Sequence, residues 1–318
     1  MSNSSEPAVY RYVHISDLHF CTQPWRVNAL SKRDLHKTLD TFDKSRPPQK
    51  EWNSIIRPAS FIPEIASGVA RFCYWLNRKF DGIVISGDLA TTGRGGDLDV
   101  AKTFVTTPPS YGPYIKYNEP TICGTTAPKN IHLVPGNHDR YRDDFATPGS
   151  QNFLLMFEGS HMRNRDGDIG HWIKVKKNRK LAFVYADFSL RRVQHLSDTL
   201  AGPYGQGIVY PDTLKQLKDK TQELKADGIP VIWVIHFAPY ECEPSLQLFN
   251  FIKITDAAVA LGVLCTLCGH THVQRHIVVN RHPVFCAGSA DCVDSISNSR
   301  VGAVRKVVGI GAAQSPRH

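Results

Sequence analysis

Short apolar runs recur along the chain and predict a set of buried β-strands. They are rich in Val and Ile and are nearly continuous, which is typical of strands that are covered on both faces. The runs lie at residues 12–15, 83–85, 131–134, 181–185, 231–235 and 264–267. A later pair, residues 277–279 and 284–286, flanks the turn sequence 280–283 and predicts a β-hairpin.

Helical patterns lie between some of these strands. Residues 63–80 and 212–226 place apolar side chains at intervals of three or four, which is the spacing of one helix face. Pro211 and Asp212 provide start signals for the second helix, and Gly228 and Pro230 provide a stop. Strands that alternate with helices predict a layered α/β fold. One further strand is predicted within residues 303–310.

Three segments lack such patterns. Residues 1–8 are polar, and we interpret them as a disordered tail. Residues 20–60 and 90–128 are long and contain several prolines, so we interpret them as loop insertions that could cap a site. The polar motifs described below extend over nearly the whole chain. We therefore expect a single domain of residues 1–318, although length alone would favour about two domains.

The bulk composition is that of an ordinary globular protein, with 318 residues, 42% hydrophobic and 21% charged. Apolar runs stay well short of the ~20 residues that span a bilayer, and the polar N-terminus does not resemble a secretory signal. We therefore expect a cytoplasmic protein without membrane contact. Its eight cysteines are expected to be reduced and mostly buried. This includes Cys265 and Cys268, whose spacing alone would allow a zinc site.

The net charge of +9 suits an anionic substrate, because a basic protein attracts anions over long distances. The basic residues are spread along the chain, and their densest run, residues 174–180, is interrupted and leads into an apolar strand. This dispersion argues against a dedicated nucleic-acid surface.

Metal-binding types of side chain follow five of the apolar runs directly. In open α/β sheets, ligands bind outside the carboxyl ends of the strands, so these side chains are expected to meet at one site. Carboxylates, amide oxygens and neutral imidazoles are ligands for Mn, Fe or Zn. Seven candidates exceed the three or four protein ligands of one tetrahedral zinc and suit two metal ions that share a carboxylate. The candidates are Asp17, His19, Asp88, Asn137, His236, His270 and His272.

Local spacing gives a reason for this convergence. Asp17 and His19 are two residues apart, as are His270 and His272, and in extended backbone this spacing puts both side chains on one side. Glycines precede Asp88, Asn137 and His270, and a glycine allows the chain to turn sharply as it leaves a strand.

The ordered motifs Asp-x-His, Gly-Asp, Gly-Asn-His-Asp, His and Gly-His-x-His resemble the signature of calcineurin-like metallophosphoesterases, from about residue 10 to 290. The resemblance implies a four-layer αββα sandwich of two mixed β-sheets flanked by helices. It also implies two divalent metal ions and a hydrolase that acts on phosphoric ester bonds. In that family, hydrolysis proceeds by in-line attack of a metal-bridging hydroxide.

The resemblance also implies roles for individual residues. The first metal would be bound by Asp17, His19 and His272. The second metal would be bound by Asn137, His236 and His270, and Asp88 would bind both metals. His138 would face the phosphate and protonate the leaving oxygen, so Asp88 and His138 are the expected catalytic residues. We further expect Asn137, His138, Arg94 and Arg142 to contact substrate.

Within the family, residues 15–19, 86–89, 134–139 and 286–290 are most similar to the bacterial cyclic-nucleotide phosphodiesterases of class III. This implies a small phosphorylated substrate, such as a 3′,5′-cyclic nucleotide or another phosphodiester, and is compatible with a homodimer. A phosphomonoesterase is one alternative. A DNA exonuclease of the SbcD type is another, but only 46 residues follow His272 (318 − 272), which leaves little room for DNA-binding segments. A catalytically dead scaffold would have lost ligands, and every candidate ligand is present.

Overall fold

Two β-sheets form the framework of the protein. The computed structural model describes residues 9–20, 63–76, 80–107, 122, 130–141, 148–157, 168–191, 205–288 and 308–309. The first sheet has the order β12-β1-β2-β3 and the second the order β10-β11-β9-β7-β5-β4, while β6 and β8 form a separate pair. The strands are β1 Arg11–Ile15, β2 Gly82–Ile85, β3 Ile131–Leu133, β4 Ile169–Lys176, β5 Arg179–Ala186, β6 Gly207–Ile208, β7 Val231–Ile235, β8 Leu248–Phe249, β9 Thr266–Cys268, β10 Arg275–Val279, β11 His282–Cys286 and β12 Val308–Gly309.

Both sheets are mixed. In the first sheet, β1 pairs in parallel with β2, and β2 with β3, while β12 is antiparallel to β1. In the second, β5, β7, β9 and β11 are parallel neighbours, and the edge strands β4 and β10 are antiparallel to theirs. The carboxyl ends of the parallel strands therefore meet at one edge in each sheet.

Helices cover the outer faces of both sheets. The helices are α1 Pro63–Leu76, α2 Gly95–Thr106, α3 Asn152–Phe157, α4 Pro211–Ala226 and α5 Ile252–Ala260, with short 3-10 helices at His138–Arg140 and Pro244–Leu246. One apolar cluster joins α1, α2 and α3 to the first sheet, and a second joins α4 and α5 to the second sheet. A third cluster lies between the sheets. This is an α/β fold of four layers, as predicted.

The three clusters explain why the strands read as continuous apolar runs. In β7, Trp233 and Ile235 pack toward the helices, whereas Ile232 and Val234 pack between the sheets. Every residue of this strand is buried. Because alternate side chains enter two different apolar layers, no position along the strand is left for a polar residue.

Phe183 is a central residue of the layer between the sheets. It is fully buried, and its ring meets that of Tyr12 edge-on at 4.6 Å. Phe183→Ala is expected to lower the free energy of unfolding by about 3–5 kcal/mol through lost burial and a cavity. Val278→Ala is the control, because Val278 is 65% exposed and its loss should change stability by less than about 0.5 kcal/mol. Urea unfolding of both variants measures the difference, and equal stabilities would contradict this packing.

The structure corrects several boundaries. Residues 90–128 are not simply a loop insertion, because α2 occupies Gly95–Thr106 and buries Leu98, Phe104 and Val105 in the core. Glycines and prolines around this helix concealed its pattern. Strand β4 was not predicted, since its lysines interrupt the apolar run. Helix α1 extends over Pro63–Leu76, and residues 77–79 lie outside the described part of the chain. Strand β9 begins at Thr266 rather than at residue 264.

Other expectations are confirmed or lie outside the described residues. The β10–β11 hairpin forms, and β12 falls within the strand predicted at residues 303–310. Cys265 and Cys268 are free thiols that face different apolar layers. Among the described residues, no helix has the length and apolarity needed to cross a bilayer. Residues 1–8 and 21–60 lie outside the described part of the chain.

Candidate metal centre

The segments that follow β1 and β2 run side by side at the edge of the first sheet. The backbone N–H of Asp17 donates to the carbonyl of Gly87 over 3.0 Å, and that of His19 donates to the carbonyl of Asp88 over 3.0 Å. These bonds continue the parallel pairing beyond the strands. They hold the carboxylate of Asp88 beside Asp17 and His19.

The backbone at the candidate ligands is left-handed rather than extended. Asp17, His19, Asp88, His270 and His272 have φ angles of 56°, 48°, 50°, 74° and 54°. Asp17 and His19 belong to one set of neighbouring ligand atoms, whereas His270 and His272 belong to two different sets. The reason given from extended backbone is wrong. Left-handed conformations are uncommon for such residues, and clusters of them are typical of functional sites.

Two buried carboxylates accept hydrogen bonds from the backbone of other motifs. The Oδ2 atom of Asp17 accepts from the N–H of His270 at 3.0 Å, and the Oδ1 atom of Asp88 accepts from the N–H of His138 at 2.9 Å. Burial alone would raise the pKa of each carboxyl. Nevertheless, His272 holds the pKa of Asp17 below its ordinary value, and His236 and His138 do so for Asp88. Both groups are therefore negatively charged at neutral pH.

Three sets of side chains bring their ligand atoms within 4.8 Å of one another: Asp17 with His19 and His272, His19 with Asp88 and His138, and Asp88 with His236 and His270. The Nε2 atoms of His19 and His272 lie 3.4 Å apart. The Nε2 atom of His236 lies 3.1 Å from Nδ1 of His270 and 3.3 Å from Oδ2 of Asp88. Two ligands bound at about 2.1 Å to one ion and separated by 90–110° are about 3.0–3.4 Å apart. The spacing therefore suits metal coordination.

Backbone carbonyls fix the orientation of two of these imidazoles. Nδ1 of His236 lies 2.8 Å from the carbonyl of Ser86, and Nε2 of His270 lies 2.6 Å from the carbonyl of Gly205. A carbonyl can only accept, so each ring places its N–H there. The other ring nitrogens then turn lone pairs toward each other. Oδ1 of Asn137, 3.0 Å from Nε2 of His236, adds another lone pair. While both rings are neutral, such a convergence of acceptors favours a cation between them.

Burial and the nearby carboxylates set the protonation of the imidazole rings. Burial lowers the pKa of His19 and of His270 to about 3, so both are neutral ligands at pH 7. Burial also acts to lower the pKa of His236, but Asp88 and Asp17 raise it to about 9. Without a metal ion, His236 is therefore protonated at pH 7, and the two carboxylates favour positive charge at this point.

His138 differs from the other histidines of the cluster. Its side chain is 21% exposed, its Nδ1 donates to the carbonyl of Thr91 at 2.9 Å, and its Nε2 lies 4.0 Å from Oδ2 of Asp88. A ring held in this way presents Nε2 to the edge of the cluster. That is the position expected for a group that meets substrate rather than one enclosed by ligands.

The contacts described so far do not include the two arginines that we expect to bind substrate. Arg94 directly precedes α2, and its backbone N–H donates to Oγ1 of Thr92 at 3.4 Å. Arg142 lies outside the described residues. Their contact with substrate stays a prediction.

Several further groups support the candidate ligands. The buried carboxylate of Asp139 accepts from the backbone N–H groups of Leu89, Ala90 and Gly136 at 3.1, 2.8 and 2.9 Å. It thereby fastens the segment after β3 to the segment after β2. The position of Asp139 within Gly-Asn-His-Asp was the only signal in the sequence. The sequence gives no signal for the backbone carbonyls of Ser86, Thr91 and Gly205, because every residue type has a backbone carbonyl.

Comparison with known proteins agrees with this picture. The model of the calcineurin-like phosphoesterase family matches residues 10–274. The chain is also similar in structure to a dimetal phosphatase from Danio rerio, at 13% identity and a TM-score of 0.54, covering 89% of this chain and 88% of that one. GAP50, the anchor in the inner membrane complex of Plasmodium, is similar at 15% identity and a TM-score of 0.51, covering 89% and 73%. At such identities the likeness shows the fold alone. No curated protein matches the sequence.

Proposed function

The chain belongs to the calcineurin-like phosphoesterase family, and on this basis we propose that it cleaves a small phosphodiester at the centre built around Asp88. A metal-dependent phosphoesterase activity follows from the family and the His/Asp cluster. The ester class and the roles of single residues are what we propose here.

The observation that carries the proposal is the set of ligand atoms that lie close together on both sides of Asp88. Asp88 belongs to two of the three sets of ligand atoms, so its carboxylate is suited to bridge two ions. Asp17, His19 and His272 would hold one ion, and Asn137, His236 and His270 the other. When bound, two divalent cations lower the pKa of water and offset the charge of the phosphoryl oxygens.

His138 would act on the leaving oxygen. The carbonyl of Thr91 accepts the proton on Nδ1, which leaves Nε2 as the atom that exchanges a proton with substrate. A proton on Nε2 can then pass to the leaving oxygen as the ester bond breaks.

One feature supports a diester as substrate, namely that the motifs are most similar to those of cyclic-nucleotide phosphodiesterases. The positive net charge favours a small anion of either ester class. We therefore propose a 3′,5′-cyclic nucleotide or a related phosphodiester. A phosphomonoester is the second candidate, because the similar Danio rerio structure is described as a dimetal phosphatase.

Hydrolysis of two nitrophenyl esters tests the proposal. The purified chain is stripped of metal, reloaded with Mn(II), and assayed with bis(p-nitrophenyl) phosphate beside p-nitrophenyl phosphate. We expect Mn(II)-dependent cleavage that is faster for the diester, followed by activity on a panel of cyclic nucleotides. Cleavage of the monoester alone would replace the diester proposal with a phosphatase. Asp219→Ala, which removes a carboxylate that is 53% exposed on α4, is the control and should retain full activity.

A further inference from the structure

A buried ion pair beside the metal centre has no role in the family signature. Nε of Arg140 lies 3.1 Å from Oδ2 of Asp187, and the two side chains are only 3% and 4% exposed. Arg140 closes the 3-10 helix that begins at His138, and Asp187 directly follows β5. The pair therefore joins the helix that carries His138, at the edge of the first sheet, to the second sheet.

Both partners are held rigidly. The guanidinium of Arg140 also donates through Nη1 to the carbonyl of Ser150, and the N–H of Ser150 donates back to the carbonyl of Arg140 at 2.8 Å. Oδ1 of Asp187 accepts from the N–H of Ser189 at 2.9 Å. The guanidinium thus donates a hydrogen bond through Nη1, while Nε forms an ion pair with Asp187 without a hydrogen bond. The single ammonium group of a lysine could not reproduce both contacts.

The segment that carries Asp187 also supports the second sheet's part of the metal centre. Ser189 pairs with Gly207, and the N–H of Ile208 donates to the carbonyl of Phe188 at 3.1 Å. Gly205, two residues before Gly207, supplies the carbonyl that orients His270. A short run of backbone contacts thus connects Asp187 with a candidate ligand.

We propose that the Arg140–Asp187 ion pair is a positioning device that sets His138 against the ligands contributed by the second sheet. The successive residues of the 3-10 helix have separate tasks. His138 faces the centre, Asp139 fastens the helix to the first sheet, and Arg140 fastens it to the second. A proton donor must lie within hydrogen-bond reach of the atom that it serves, so a small shift of this helix would weaken proton transfer before it affected metal binding.

The inference rests on the proposed function for its kinetic test, which compares two leaving groups. Nitrophenolate leaves readily without a proton, whereas an alkoxide requires one. For metal-loaded Asp187→Asn we expect kcat to fall about tenfold for an alkyl phosphoester and about threefold or less for the nitrophenyl ester, with KM and metal content unchanged. Arg140→Lys should give the same pattern, and it tests the proposal even where Asp187→Asn fails to fold. Restoring the charge with Asp187→Glu should recover part of the activity.

A double-mutant cycle with His138→Gln shows whether the pair acts through His138. If it does, Asp187→Asn should have little further effect once His138 is lost. Asp81→Asn is the matched control, because it breaks the Lys176–Asp81 contact of 2.8 Å at the other end of the sheets. It should leave both leaving groups unaffected. Equal losses for both esters, additive effects in the cycle, or a loss of bound metal would overturn the proposal.

A nuclear magnetic resonance measurement separates a failure of this inference from a failure of the proposed function. Side-chain nitrogen spectra of the metal-free chain report the tautomer of His138, identified by the signal that disappears in His138→Gln. The contact with Thr91 predicts a proton on Nδ1 in the wild type. Arg140→Lys should mix the two tautomers. An unchanged signal would overturn the inference, whether or not the chain hydrolyses the esters.

Discussion

Asp88→Ala is expected to lower kcat for the preferred phosphoester by about 10³-fold or more and to reduce the bound metal below two ions per chain. The magnitude follows because metal ions contribute several kcal/mol of charge stabilisation in the transition state, and each 1.36 kcal/mol changes the rate tenfold. Oδ2 of Asp88 lies 3.3 Å from His236 and 4.0 Å from both His19 and His138. No other carboxylate of the described residues joins two of the ligand sets.

A second substitution at this position separates charge from shape. Asp88→Asn preserves an oxygen that can accept from the N–H of His138 but removes the negative charge. We expect nearly the same loss of metal and activity as in Asp88→Ala. Metal content by elemental analysis and kcat with Mn(II) are the measurements, with Asp219→Ala as control. Wild-type rates in Asp88→Ala would remove Asp88 from the mechanism.

Gly136→Ala is expected to lower kcat by about 10²-fold while the fold persists. A Cβ atom at residue 136 would lie 2.1 Å from Oδ1 and 2.4 Å from the backbone nitrogen of Asp88. The backbone contact cannot be relieved by rotating a side chain, so Asp88 and the segment before Asn137 must move apart. Displacements of about 1 Å at a reacting centre cost on the order of 10²-fold in rate. Overpacking of this kind also costs about 1–3 kcal/mol of stability.

Gly68→Ala is the matched control for this glycine. Gly68 lies within α1, is exposed, and a Cβ atom there would meet nothing within 4 Å. Alanine favours a helix over glycine by about 0.5–1 kcal/mol, so this variant should be slightly more stable and fully active. Thermal unfolding and kcat distinguish the two variants. Full activity in Gly136→Ala would show that the close approach to Asp88 is not required.

The sequence predicts the framework well where burial is continuous. Strands such as β7 read as unbroken apolar runs because alternate side chains enter two apolar layers. Strand β4 could not be predicted from an apolar run, because Lys174 and Lys176 lie on this edge strand and interact with Asp81. Helix α2 could not be predicted because it begins with Gly95 and Gly96, and paired glycines are typical of a loop.

The candidate site could be predicted from residue types and order, but not its geometry. The left-handed backbone at Asp17 and His19 has no signal in the sequence, since neither residue is a glycine. The sequence also gives no signal for the backbone carbonyls that orient His236 and His270. The Arg140–Asp187 pair joins residues that are far apart in the chain and depends on tertiary structure. The single domain, the cytoplasmic location and the homodimer stay predictions.

The proposed hydrolysis requires two metal ions at this centre, and anomalous diffraction from crystals loaded with Mn(II) tests whether they bind there. We expect two peaks per chain. One should lie among Asp17, His19 and His272, the other among Asn137, His236 and His270, with Asp88 contacting both. Elemental analysis of the same preparation should give two ions per chain. No peak at these residues, or a single ion that does not contact Asp88, would show that this cluster is not a two-metal centre.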